Sequence, residues 1–226
     1  MLLPTPLGPV MTKILPWLFT SIVRIILTLL FLSMTFQPTK TWLVFDDNAL
    51  INKPTEAVNF PIDEQIETCI KKMIAYVDAS YDGKAQEYDI IPGIGIAANQ
   101  IGYWKQLFYI HLNDLNKEKK CLLINPKIID QSENKAFLES GEGCLSVKKQ
   151  HKGYVIRSEW ITIKGYDWFE KKEITIKATG LFGMCLQHEF DHLQGRFFYQ
   201  RINPLNPWFK KPEWKVINPT LKTSNG

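Results

Sequence analysis

Gln187-His188-Glu189-Phe190-Asp191-His192 sets the pattern His-Glu-x-x-His inside an apolar run that reads as a helix. Residues four apart share a helix face, so His188 and His192 can offer two imidazole nitrogens to one metal ion. Glu189 follows the first of them and points to the side of the metal, where a general base for a metal-bound water belongs. Taken alone, the pattern also fits a surface pair or the edge of a packed core. The helix that carries it is expected over about Leu181 to Gln194, with Gly195 as its stop. Upstream, apolar residues at Ile62, Ile66, Cys69, Ile70, Met73 and Val77 predict an earlier helix from Ile62 to Val77. Strand-like runs lie between the two, at Gln106 to His111, Cys121 to Ile129, Tyr154 to Tyr166 and Glu173 to Ala178. Strands between an early and a late helix predict an α+β fold, with short antiparallel sheets packed around a central metal-binding helix.

The chain has four cysteines, Cys69, Cys121, Cys144 and Cys185, with no Cys-x-x-Cys pair. That argues against a disulfide framework and against a four-thiolate zinc site. Cys69, Cys121 and Cys185 sit in helix-like or strand-like apolar runs and read as buried fillers. Cys144 differs, because Glu142-Gly143-Cys144-Leu145-Ser146 has no hydrophobic period. It is either a small residue in a tight turn or a functional thiol. A third segment, Gly93-Ile94-Gly95-Ile96-Ala97-Ala98-Asn99-Gln100, combines small residues that let backbone approach a ligand with an amide donor in Gln100. Its Gly-x-Gly start resembles a dinucleotide loop only weakly, since Ala98 stands where the third glycine belongs.

In order and wording these three segments resemble the three motifs of the peptide deformylase family, and the likeness extends from about Thr41 to Asn203. Phe45 to Val58 is similar to the family's opening segment. The run Ser80 to Pro92 places the chain near the subclass with an insertion before the first motif. The resemblance implies hydrolysis of the N-formyl group from the initiator methionine of newly made chains, with release of formate. It also implies that Cys144 joins His188 and His192 as metal ligands. Thermolysin-like proteases take a third ligand from further along, but Glu213 is the only acidic residue after His192. A Cys-His-His set leaves a fourth position for water, which catalysis needs.

Further roles follow from the same resemblance. Glu189 would take a proton from metal-bound water and deliver it to the leaving amine. The Gln100 side chain and the Leu145 backbone N–H would stabilise the oxyanion. Glu142 and Arg157 would pair to fix the Cys144 loop, and Asp191 would either orient a ligand histidine or be an ordinary helix-surface acid. The methionine side chain would lie among Gly93, Gly95, Ile96, Leu181, Met184 and Cys185, positions that plain core packing would also explain. The implied metal is Fe²⁺, with Zn²⁺, Ni²⁺ or Co²⁺ as substitutes. A thiolate ligand implies a reducing compartment, hence the cytoplasm. Expected partners are N-formylmethionyl nascent peptides and, transiently, the ribosome; no DNA is expected. The sequence departs from the family pattern at Lys148-Lys149, at His151, and in a tail whose Pro204, Pro207, Pro212 and Pro219 exclude a long C-terminal helix.

At 226 residues, 45% hydrophobic and 22% charged, the chain suits one globular domain. Its net charge of +4 is mild, and Lys117, Lys119 and Lys120 form a small basic cluster broken by Glu118. The lysines read as solvated loops and edges, with a ribosomal RNA contact the weaker alternative. Expected boundaries are an apolar N-terminal segment over 1–40, a catalytic domain over 41–203 and a Pro-rich basic tail over 204–226. Ile14 to Phe36 is almost wholly apolar, interrupted by Pro16 and Arg24, and long enough to span a bilayer. No signal cleavage site follows it. A cytoplasm-facing membrane tether through residues 14–36, or translation from Met34, fits better than export. Two rival functions remain open: a deformylase-like protein that binds metal and peptide without turnover, and a membrane-anchored module with a structural Zn²⁺ completed by His111 or His151.

Overall fold

The computed structural model describes residues 36–218. The apolar stretch before Phe36, with its tether and Met34 readings, lies outside the described residues, as does the end of the tail. Among the described residues no helix is long and apolar enough to cross a membrane.

Helix α1 spans Glu64–Tyr81. Asp63 caps it by accepting the Ile66 N–H at 2.8 Å. Ile66, Cys69, Ile70, Met73, Tyr76 and Val77 recur every three or four residues and give one buried stripe. The helix runs past the expected Val77 because Asp78 is anchored there, accepting from the Tyr109 hydroxyl at 2.6 Å and facing His111 Nδ1 at 2.7 Å.

Strands β1 Gly95–Ala97, β2 Leu107–Asp114, β3 Lys117–Gln131, β6 Trp160–Asp167 and β7 Lys172–Thr179 form an antiparallel sheet in the order β1-β2-β3-β6-β7. A second sheet, ordered β5-β4-β8, joins β4 Lys135–Leu138, β5 Arg157–Ser158 and β8 Lys215–Ile217. There β8 runs parallel to β4. Leu115 and Asn116, at φ 50° and 62°, make the two-residue turn between β2 and β3. Positive φ at both turn positions matches the twist of the paired strands.

Side-chain parity divides the core. Ile96, Leu107, Tyr109, Leu122 and Ile124 pack with α1. Ala97, Phe108, Ile110, Cys121, Leu123, Ile161 and Ile163 pack with the second helix, α2, Gly180–Leu193. Successive strand residues point to opposite faces, so a sheet covered on both sides reads as an unbroken apolar run. Gly195, at φ +69°, follows α2 where a side chain's Cβ would lie 2.6 Å from the backbone of Asn52. It ends the helix in a conformation and a space that only glycine tolerates.

The expected α+β class and the antiparallel sheets are present. The run Tyr154 to Tyr166 is not one strand, however. It breaks at Glu159 into β5 and β6, which belong to different sheets. No helix forms in the described part of the Pro-rich tail, and its Lys215–Ile217 segment adds a strand to β4.

Candidate metal centre

Helix α2 presents His188 and His192 one turn apart, and the loop after Gly143 brings Cys144 to them. Their donor atoms all lie within 4.8 Å of one another. His192 Nε2 is 3.2 Å from both Cys144 Sγ and His188 Nε2. Three lone-pair donors at that separation can close on one ion, and a thiolate with two imidazoles suits Fe²⁺ or Zn²⁺. His188 Nδ1 faces Glu142 Oε2 at 2.8 Å, so the proton given to that carboxylate leaves Nε2 free as a ligand. Burial disfavours the His188 imidazolium, but hydrogen bonds to Cys144 and Glu142 outweigh it and raise this group well above the ordinary histidine value. Burial and then the nearby His188 charge hold His192 well below that value. A cation bound here would take the place of the His188 proton. The residues therefore fit the ion.

A cavity of about 460 Å³ opens beside Cys144 and His188. Glu189 lines it, and among the described residues its buried Oε2 has no hydrogen-bond partner. Burial pushes the Glu189 carboxyl up to about 7, against the opposing pull of His188 and Arg157. A carboxyl tuned to that range can both accept and return a proton near neutral pH. Gln100 follows β1 on a short 3-10 turn. Its Oε1 accepts the Ala97 N–H at 2.8 Å, which turns the amide Nε2 toward Ser146 Oγ at 3.2 Å and Cys144 Sγ at 3.6 Å. Among the described residues the Leu145 N–H makes no hydrogen bond. Its side chain packs on Gly93.

Behind the ligands runs a buried chain of charges. Arg157 donates to both oxygens of Glu142, at 2.6 and 2.9 Å, and to Asp191 Oδ2 at 2.7 Å. Arg201 closes the far end with two 2.6 Å bonds to Asp191. The Arg157 side chain is fully buried. Asp191 is neither a surface acid nor the acceptor for a ligand histidine: both its oxygens go to arginines, and His192 Nδ1 has no partner among the described residues. Glu142 orients a histidine instead.

Of the residues expected around a methionine side chain, Gly93, Gly95, Leu181, Met184 and Cys185 line the cavity. Ile96 does not, because strand parity turns it to the α1 face, where it is fully buried. Ile91, Ile94 and Leu138 complete the apolar walls. Sequence reading missed Ser146, which meets Gln100, and Asn99, whose Nδ2 donates to His192 O at 2.7 Å. It also missed Phe198, whose ring stacks on His188 at 6.1 Å. An amide side chain closing a run of small and apolar residues was the available signal for the second. Neither other histidine joins the ligands: His111 lies between Asp78 and Glu118, and His151 stacks on Tyr199 at 4.2 Å. Lys148 reaches Asp47 at 2.6 Å.

Comparison with known proteins gives one family. A family model described as polypeptide deformylase matches residues 40–208. A peptide deformylase of Mycoplasma pneumoniae is 69% identical over 95% of this chain and all of its own length. That match takes in 215 of the 226 residues, so it reaches into the apolar stretch before Met34. One of Malacoplasma penetrans is 50% identical over 80% of this chain and 97% of its own. Among solved structures, a peptide deformylase of Synechococcus elongatus in complex with actinonin is 30% identical. The match covers 72% of this chain and 79% of that one, with a TM-score of 0.58. One from Legionella pneumophila is 32% identical over 72% and 86%, with a TM-score of 0.55.

Proposed function

The chain belongs to the polypeptide deformylase family, and from that premise we propose how its own residues remove an N-formyl group from new peptides. It is an enzyme of that activity. Cys144, His188 and His192 hold one metal ion, which we assign as Fe²⁺, with Zn²⁺, Ni²⁺ or Co²⁺ able to substitute. A bound ion acidifies water and polarises the formyl oxygen. Glu189 takes the proton of the attacking water and returns it to the amine as the C–N bond breaks, leaving formate and a free N-terminus. Gln100 Nε2 and the Leu145 N–H stabilise the negative charge on the formyl oxygen. Leu181, Met184 and Cys185 seat the methionine side chain, while Glu142 and Arg157 hold the Cys144 loop and His188. The chain works on N-formylmethionyl peptides as they leave the ribosome, on the cytoplasmic side, where a thiolate ligand stays reduced.

The observation that carries this reading is the meeting of the Cys144, His188 and His192 donor atoms beside a cavity that Glu189 lines with a buried carboxylate oxygen, unpartnered among the described residues. The full chain, loaded anaerobically with ferrous ion, should release formate from a formyl-Met tripeptide. Glu189→Ala should still bind one metal per chain and lose roughly 10²-fold or more in rate. A parent that binds metal and releases no formate would shift the reading to a binding protein without turnover.

A further inference from the structure

Residues 82–94, between α1 and β1, form neither helix nor strand. Yet Ile91, Pro92, Gly93 and Ile94 make one wall of the cavity. Backbone without a ladder must be placed by other bonds, and here they come from outside all three sequence motifs. The Tyr76 hydroxyl donates to Ile91 O at 3.2 Å. Ser80 Oγ accepts the Gly93 N–H at 2.9 Å. Beyond these the wall joins the sheet, where the His111 N–H donates to Ile94 O at 2.9 Å. On its other side Gly93 lies close to Leu145: a Cβ placed on Gly93 would sit 3.0 Å from both Leu145 methyls. The wall is thus held between the last turns of α1 and the loop that carries Cys144.

We propose that Ser80 and Tyr76 are positioning residues that clamp this wall against Leu145 and so set how tightly a formylmethionyl peptide seats. The proposal rests on the deformylase reading above, but the clamp itself can be measured without turnover. Burial pushes the Tyr76 phenol up to about 12, so its hydroxyl remains a donor at neutral pH. Asp78, midway between the two residues, fixes the same turn of α1 to β2 through Tyr109 and His111. The clamp therefore has a rigid mount. Neither Tyr76 nor Ser80 lines the cavity, and their printed side-chain bonds go to the wall, so loss of either should weaken binding and leave bond cleavage unchanged.

The test uses the full ferrous-loaded chain and Ser80→Ala, Tyr76→Phe and Ser80→Thr. Amide exchange over residues 91–95 and the kinetics of formate release are measured on each. Ser80→Ala and Tyr76→Phe should speed exchange and raise KM roughly fivefold, the scale of one lost hydrogen bond, with kcat within about twofold of the parent. Ser80→Thr keeps the acceptor oxygen and should keep parental exchange and KM. Unchanged exchange in Ser80→Ala overturns the clamp. Faster exchange with an unchanged KM, or a fall in kcat alone, overturns its role in binding. A parent without turnover counts against the deformylase reading, while exchange still decides the clamp.

Discussion

Arg157 is where removal of one side chain should cost most. Its guanidinium is fully buried and bridges Glu142 and Asp191, two carboxylates that are themselves buried. Burial alone would raise the Glu142 carboxyl, but Arg157 and then the His188 hydrogen bond reverse this and hold it at about 2. The stability this supplies is present above the ordinary glutamate value of 4.5 and is lost as the pH falls toward 2. Arg157→Met keeps the stem and leaves the two carboxylates without their common cation. Removing one partner of a buried pair costs about 3–5 kcal/mol, and urea denaturation should show a loss of that size. The acid-unfolding midpoint should also move to higher pH. A loss below about 1 kcal/mol would mean that Arg201 or water replaces the bridge. Sequence reading paired Glu142 with Arg157 but could not see Arg201. Its partner Asp191 lies ten residues earlier on a different element, and no local spacing reports such a meeting.

At the scale of elements, what was legible depended on whether the signal was local. Helix α2 and its histidines were readable because i and i+4 share a face. Strands β2 and β3 were readable as apolar runs, and β7 by its alternation, with Ile174, Ile176 and Ala178 on one face. Strand β1 was not: Gly95, Ile96 and Ala97 are all buried, so no alternation marks them, and three residues are too few for a period. Strand β8 lies in a Pro-rich stretch and exists only through its pairing with β4, about eighty residues earlier in the chain. The break between β5 and β6 has the same origin, since Arg157 must reach Glu142 and Asp191 while Ile161 and Ile163 fill the main core. Strand β1 also explains why Gly95 is glycine. Its backbone is ordinary extended chain, but a Cβ there would lie 2.5 Å from Glu189 Oε1 and 3.1 Å from Cys185 Sγ. Gly95→Ala should therefore fold, with a thermal midpoint near the parent's, while kcat/KM for formate release falls roughly 10²-fold as the carboxylate is displaced. Activity within about threefold of the parent would show that the α2 face gives way to a methyl group.

Across the whole molecule the four thiols report on how the fold divides structure from chemistry. Cys69 and Cys121 are buried in the two halves of the core, on opposite faces of the main sheet. Burial raises the Cys69 thiol far above its ordinary value and pushes Cys121 up to about 12. Cys185 touches the cavity but is nearly as enclosed, and burial followed by the Glu189 charge raises it well above the ordinary value too. Only Cys144 is partly exposed, in a loop beside two imidazoles. Reactivity requires a thiolate that a reagent can reach. In the folded chain stripped of metal by a chelator, a disulfide reagent should titrate one thiol per molecule quickly, and Cys144→Ser should remove that signal. Four thiols should titrate after unfolding in urea. Loading with ferrous or zinc ion before the reagent should suppress the fast thiol and raise the thermal midpoint, because an ion held only by the folded chain stabilises it by mass action. Two fast thiols would place Cys185 in open contact with the cavity and remove the distinction between ligand and lining. A fast thiol that metal does not protect would show that Cys144 is no ligand, and the proposed centre would have to be rebuilt on the histidines alone.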